Sequence, residues 1–174
     1  MFQNPEIALH SLPDMEDLHW QQIHPRYARR LQLERALFVC GIAIATLAAK
    51  FLVGIPSDKV FMLWLGLLIV AVPLLVWPVI SVPRRGYVIR DKDIVFKSGV
   101  IWRSVTAIPF NRVQHVETSN TPLDRKFGLA NLQIFTAGGS GGDLRISGLG
   151  LDTAEQLRVY ILGKVGASIE THQA

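Results

Sequence analysis

The chain has 174 residues, 49% of them apolar and 18% charged, with a formal charge of +4 and a pI near 9.5. A single cysteine, Cys40, excludes an internal disulfide framework. The mild basic excess suits an anionic neighbour, membrane or nucleic acid, and does not choose between them.

Residues 1–35 are polar and mixed in charge, and read as a cytoplasmic N-terminal arm with an interfacial helix. Met15, Leu18 or His19, and Ile23 give a weak helical stripe. His24-Pro25-Arg26-Tyr27 marks a boundary, because Pro25 favours an extended residue before it and the first helical turn after it. The helix beginning there runs through Arg29 and Arg30 towards the membrane, with Trp20 and Tyr27 expected at the interface. His19 and His24 lack paired cysteines, so His10, His19, His24 and His172 read as solvated or interfacial rather than zinc ligands.

Residues 36–83 read as a transmembrane hairpin of two spans, 36–55 and 60–82. The first is apolar except for Lys50, whose ammonium can snorkel from near the end of the span. The second has no charge and, as a helix, reaches roughly 34 Å, enough for a hydrocarbon core of about 30 Å. Pro73 and Pro78 would break a soluble helix; in a membrane they predict a kink, tolerated where neighbours re-satisfy the backbone. Only residues 56–59 join the spans, which forces an antiparallel pair. Arg26, Arg29, Arg30 and Arg35 precede the first span and Arg84 and Arg85 follow the second, so the positive-inside bias puts both termini in the cytoplasm. Gly41, Ala45 and Ala49 stand four apart on one face of the first span and suit close helix packing.

After Pro83 the pattern changes to strands. Segments 86–90, 94–97, 100–108, 112–118, 129–136 and 143–147 read as strands, with turns at 91–93, at Ser98-Gly99 and at the glycine-rich 138–142. Val113 and Val116 fall in antiphase, so their strand needs a bulge or two buried faces. Asp152 is the expected cap of a last helix, with Glu155 completing a capping box and Ala154, Leu157, Ile161 and Val165 forming its apolar face. The domain reading is 84–166 as one α+β unit, an antiparallel barrel or twisted sheet with a helix over an open end, and 167–174 as a flexible tail.

Gly99-Val100-Ile101 with Arg103, Ile108-Pro109, the run 112–117 (RVQHVE), the run 122–130 (PLDRKFGLA) and the run 135–139 (FTAGG) follow one another in a long, ordered pattern. Through them, residues 20–166 resemble the membrane-anchored bacterial pleckstrin-homology family, in its short single-domain form. The resemblance implies a pleckstrin-homology-like barrel of two antiparallel sheets capped by a C-terminal helix. It also implies a companion, since such proteins often occur with a larger relative carrying several of these domains.

The motifs offer little chemistry. His115 has Glu117 on the same strand face but no nucleophile in a suitable setting, so it reads as a strand residue. The turn at 138–142 lacks the Gly-Lys-Ser/Thr end of a P-loop and reads as a hairpin. No catalytic, cofactor-binding or metal-binding residues are assigned. The run 122–128 reads as one helical turn, started by Pro122, ended by Gly128 and pinned by Leu123, Phe127 and Leu129, with Arg125 and Lys126 facing out. Phosphoinositide-binding pleckstrin-homology domains carry basic residues around the first hairpin loop; here that loop is Asp91-Lys92-Asp93, which argues against such a pocket.

The expected function is a non-enzymatic protein of the bacterial inner membrane, multi-pass, whose barrel assembles with itself or a larger relative. The alternative is a tethered binder of anionic lipid headgroups using Arg84, Arg85, Arg125, Lys126 and Arg145. Membrane lipids are expected neighbours, with no nucleic acid, no small-molecule substrate and no cofactor.

Overall fold

The computed structural model describes residues 18–137 and 143–173. The expected glycine-rich turn at 138–142, the arm up to residue 17 and the side chain of His172 lie outside what is described.

Helix α1 (Arg26–Val53) starts well before the apolar run. Pro25 is already helical at φ −58°, and His24 Nδ1 accepts the amide of Arg26 at 3.2 Å, satisfying one of the donors that a helix start leaves open. Gly54 ends the helix in the left-handed conformation, φ 73°, and returns its amide to the Lys50 carbonyl. Helix α2 (Ser57–Ser81) follows at once and runs through Pro73 and Pro78. Both helices are long and apolar enough to cross a membrane. Between them, Trp64 Nε1 donates to Thr46 Oγ1 at 3.0 Å, so Trp64 links the pair as well as facing outward.

The residues before α1 belong to the barrel. Gln21–Gln22 form a short strand, β1, paired with Tyr87 and Gly86 of β2 (Gly86–Ile89). This corrects the helical stripe expected around Met15–Ile23: the main chain of Gln21 and Gln22 extends a sheet, while Ile23 and Tyr27 enter the core. Tyr27 is therefore a core residue rather than an interfacial one, 8% exposed. It packs against Gly148, where a Cβ would lie 2.3 Å from its Cγ.

The first sheet runs β1-β2-β3-β4, all antiparallel, with β3 (Asp93–Ser98) and β4 (Ser104–Pro109). The strand expected over 100–108 starts only at Ser104. Gly99, at φ 105°, turns the chain so sharply that a Cβ there would sit 1.8 Å from the Trp102 carbonyl oxygen. Ile101 and Trp102 are thereby pushed to the tip of a loop.

The second sheet runs β5-β6-β7, with β5 (Val113–Ser119), β6 (Leu129–Thr136) and β7 (Leu144–Gly150). The register shifts between Val113 and His115, leaving Gln114 as the extra residue of a bulge. That bulge turns Val113 and Val116 to the same interior. Helix α3 (Pro122–Phe127) bridges β5 and β6, and α4 (Leu151–Gln173) follows β7. Asp152 lies in the first turn of α4 rather than capping it. The amide of Leu151 instead reaches the Gly128 carbonyl at 3.3 Å, so the helix start is satisfied by the end of α3. Nothing in 167–173 stops the helix, and its backbone continues across the expected flexible tail.

Ile94, Leu129, Leu132, Ile134, Ile146 and Ile161 are fully buried, and Ala154, Leu157 and Ile161 bring the apolar face of α4 onto the sheets. Each such aliphatic side chain contributes roughly 1.5–3 kcal/mol when fully buried.

Candidate functional site

Three features concern how the barrel meets the hairpin and what it leaves open. The first is a clamp on α3. Thr121 caps this helix: its Oγ1 accepts the Asp124 amide at 3.1 Å, and Asp124 Oδ2 accepts the Thr121 amide at 3.0 Å. Asn131 Nδ2, from β6, donates to the same Oδ2 at 3.1 Å. From α1, Arg30 Nε donates to Oδ1 at 2.8 Å and is also paired with Glu34. Asp124 is 2% exposed. Burial alone pushes its carboxyl pKa up; the hydrogen bonds from Thr121 and Asn131 and the charge of Arg30 together outweigh it and hold the pKa below the ordinary value. A buried carboxylate is thus fully satisfied and ties the first membrane helix to the barrel.

The second feature is a cleft where α2 ends. Trp77 and Ser81 of α2, Arg85 of the link, Phe96 and Ser98 of β3, the Gly99–Val100 corner, and Arg145 and Ser147 of β7 surround a volume of about 360 Å³. A second hollow, of about 300 Å³, shares Ser98 and Gly99 and brings in Arg84, Lys97 and Arg103. Lys97 lies over the Trp20 ring at 4.0 Å, and Arg85 over Tyr27 at 5.9 Å. No carboxylate lines either hollow among the described residues.

The third feature is β4. It pairs with β3 on one side and, among the described residues, with no strand on the other. Ser104, Val105, Thr106 and Ala107 are exposed on both faces.

The positions singled out in the sequence thus separate. Arg85 and Arg145 share a cleft and Arg84 stands beside it, whereas Arg125 and Lys126 are exposed on α3, outside its lining. Gly41 and Ala45 are exposed and Ala49 half-buried; a Cβ on Gly41 would meet nothing within 4 Å, so the hairpin's own packing does not use it. His115 is exposed, its ring against Phe135 at 5.7 Å between centroids. Sequence reasoning missed Arg30, Asp124 and Asn131 as a unit; the signal available was Thr121 three residues before Asp124, a capping pattern.

At the far hairpin, Asp91 pairs with Lys164 of α4 at 2.5 Å, and Arg90 with Asp93. The hydrogen bond from Lys164 lowers the Asp91 pKa, and the same bond raises that of Lys164. The loop that is basic in phosphoinositide binders is here occupied with its own ion pairs. No cluster of metal-ligating side chains occurs among the described residues.

Two membrane-length helices joined to a barrel of two antiparallel sheets with a C-terminal helix define a membrane-associated pleckstrin-homology-like protein. The model of the bacterial PH domain family matches residues 36–165, and the chain belongs to that family. It is also similar to the UPF0699 transmembrane protein YdbS of Bacillus subtilis (strain 168), 39% identical over 51 residues, which cover 29% of this chain and 32% of that protein. The match therefore spans about a third of the relative's length. No solved structure matches.

Proposed function

We propose that the chain is a non-enzymatic membrane protein whose helices span the bilayer as a hairpin, with both ends of the chain cytoplasmic, and whose barrel is an assembly module. Its partner is a second bacterial PH domain, from another copy or from a larger relative. The open edge of β4 carries this reading. Edge strands are commonly blunted by lysine, proline or a bulge, because their free amides and carbonyls invite another strand. Residues 104–108 (SVTAI) contain none of these, the one proline of β4, Pro109, standing at its last position, and Val105 is 50% exposed. Strand addition at such an edge supplies main-chain hydrogen bonds. The clamp at Asp124 supports the same reading, since a barrel fixed to its hairpin presents β4 in one orientation.

The test is a photoreactive amino acid at Thr106 of the full chain in native membranes, with the products identified by mass spectrometry. Adducts to a second bacterial PH domain support the proposal. Adducts to lipid alone, or none beyond those from the same group at Glu155 on α4, overturn it.

A further inference from the structure

We infer that the cleft at the end of α2 takes the phosphate of an anionic lipid from the adjacent leaflet, and that the Gly99–Arg103 loop rests in the same interface as a foot. The position comes from the chain path. Helix α2 is apolar to Ser81, one 3-10 turn (Val82–Arg84) follows, and β2 starts at Gly86. Gly86 pairs with Lys97 and Ser98 pairs with Ser104, so the β3–β4 loop lies at the end of the sheet nearest the membrane helices. Trp77 and Ser81 form one wall of the cleft and therefore set its depth at the end of the span.

The chemistry of the lining selects the ligand. Arg85 and Arg145 face the cleft, Arg84, Lys97 and Arg103 surround its outer side, and no acid opposes them among the described residues. Arginine forks match phosphate oxygens bidentately. The hydroxyl of Ser81 is independent of this charge argument. Ser81 is 4% exposed, its Oγ has no hydrogen-bond partner among the described residues, and it lines the cleft. A buried hydroxyl left without a partner is unfavourable, and a phosphate oxygen in the cleft would supply one.

The foot supplies the apolar half of the contact. Ile101 is 68% and Trp102 85% exposed, at the tip of a loop that Gly99 bends outward beside Arg84 and Arg103. An indole next to basic side chains at the end of a membrane helix is the composition of an interfacial anchor. The outer hollow adjoins Ser104 and Val105 at the start of the β4 edge, whereas the cleft that holds Arg85, Arg145 and Ser81 has no β4 residue in its lining and does not depend on assembly.

The experiment uses the full chain in nanodiscs of phosphatidylcholine with and without phosphatidylglycerol. Native mass spectrometry reads the lipid retained on release, and a spin label at position 102 (Trp102→Cys in a Cys40→Ser background) reads immersion. Retention of phosphatidylglycerol in preference to phosphatidylcholine is expected. It should fall about tenfold or more in Arg85→Gln/Arg145→Gln and little in Arg125→Gln/Lys126→Gln. Ser81→Ala removes a hydroxyl with no partner in the described chain, so it should fold normally and still lower retention. The label should collide with oxygen more than with an aqueous nickel chelate. Equal retention by all variants, or a label at 102 as accessible to nickel as one at Glu155, overturns the inference. Retention of soluble glycerol phosphate without lipid overturns the lipid source.

Discussion

Arg35 donates from Nη1 to the carbonyl of Leu74 at 2.6 Å, and that carbonyl is the one Pro78 leaves without a helical donor. Gln32 Nε2 reaches the next carbonyl, Leu75, at 3.2 Å. Arg35 thus supplies the donor that Pro78 removes, and Gln32 adds a second tie one residue further on. They also fix the register of the hairpin, because a shift of either helix would separate donor from acceptor.

Arg35→Ala should therefore destabilise the hairpin by about 1–3 kcal/mol through an unsatisfied carbonyl. The informative partner is Pro78→Ala, which restores the amide that Leu74 lacks. In a double-mutant cycle read by unfolding in bicelles, the cost of Arg35→Ala should shrink in the Pro78→Ala background. Additive costs would show that Arg35 acts elsewhere.

The Arg30–Asp124 pair should dominate the junction between hairpin and barrel. Asp124→Ala leaves Arg30, 11% exposed, without its buried partner, and should cost about 3 kcal/mol. Because the Asp124 pKa is lowered in the folded state, its contribution is present in full above the unfolded carboxylate pKa. It is lost as the pH falls below that value towards the folded pKa. Asp124→Asn should thus be less stable than wild type at pH 7, and the difference should narrow below about pH 4. A difference constant with pH down to the acid transition would remove the electrostatic account.

What the sequence made legible follows from how local each signal is. The alternation of Leu132 and Ile134 with Gln133 locates β6, and the antiphase of Val113 and Val116 calls for a bulge or a two-sided strand, which the register resolves as a bulge at Gln114. The charge-free run at 60–82 and the apolar face of α4 were equally plain. The failures were non-local. Gln21–Gln22 carry no apolar alternation, and only the docking of β2 some 65 residues later makes them a strand. Arg30 and Asp124 are 94 residues apart, and in the sequence Arg30 is one more charge of the positive-inside flank. Val100, Ile101 and Trp102 are apolar and lead into β4, so the segment reads as strand in the sequence; one left-handed glycine makes it a loop.

Two glycines should respond oppositely to the same substitution. Gly148 has φ 83°, and a Cβ there would meet the Tyr27 side chain at 2.3–2.7 Å, so Gly148→Ala combines backbone strain with a core clash. It should destabilise by about 2 kcal/mol or more and loosen the entry of α1 into the barrel. Gly163 lies within α4 with nothing within 4 Å of its Cβ position. Gly163→Ala should stabilise by roughly 0.5–1 kcal/mol. Thermal unfolding of the two variants side by side checks both signs; a neutral Gly148→Ala would mean that the Tyr27 contact yields freely.

The β4 edge makes the remaining prediction. Val105 and Ala107 are exposed and lie two apart, on one face of the strand. Lysines there should leave the barrel's stability within about 0.5 kcal/mol, as for other surface positions, and obstruct an incoming strand. Val105→Lys/Ala107→Lys should therefore keep the unfolding midpoint of wild type while shifting the full chain in nanodiscs towards single copies, counted by stepwise photobleaching. Charge alone does not explain such a shift if Arg125→Glu/Lys126→Glu, which changes an exposed surface away from β4, leaves the distribution unchanged. If the lysine variant assembles as wild type does, the edge is not the interface, and assembly through the outward small residues of α1, Gly41 and Ala45, becomes the arrangement to examine by substituting bulky side chains there.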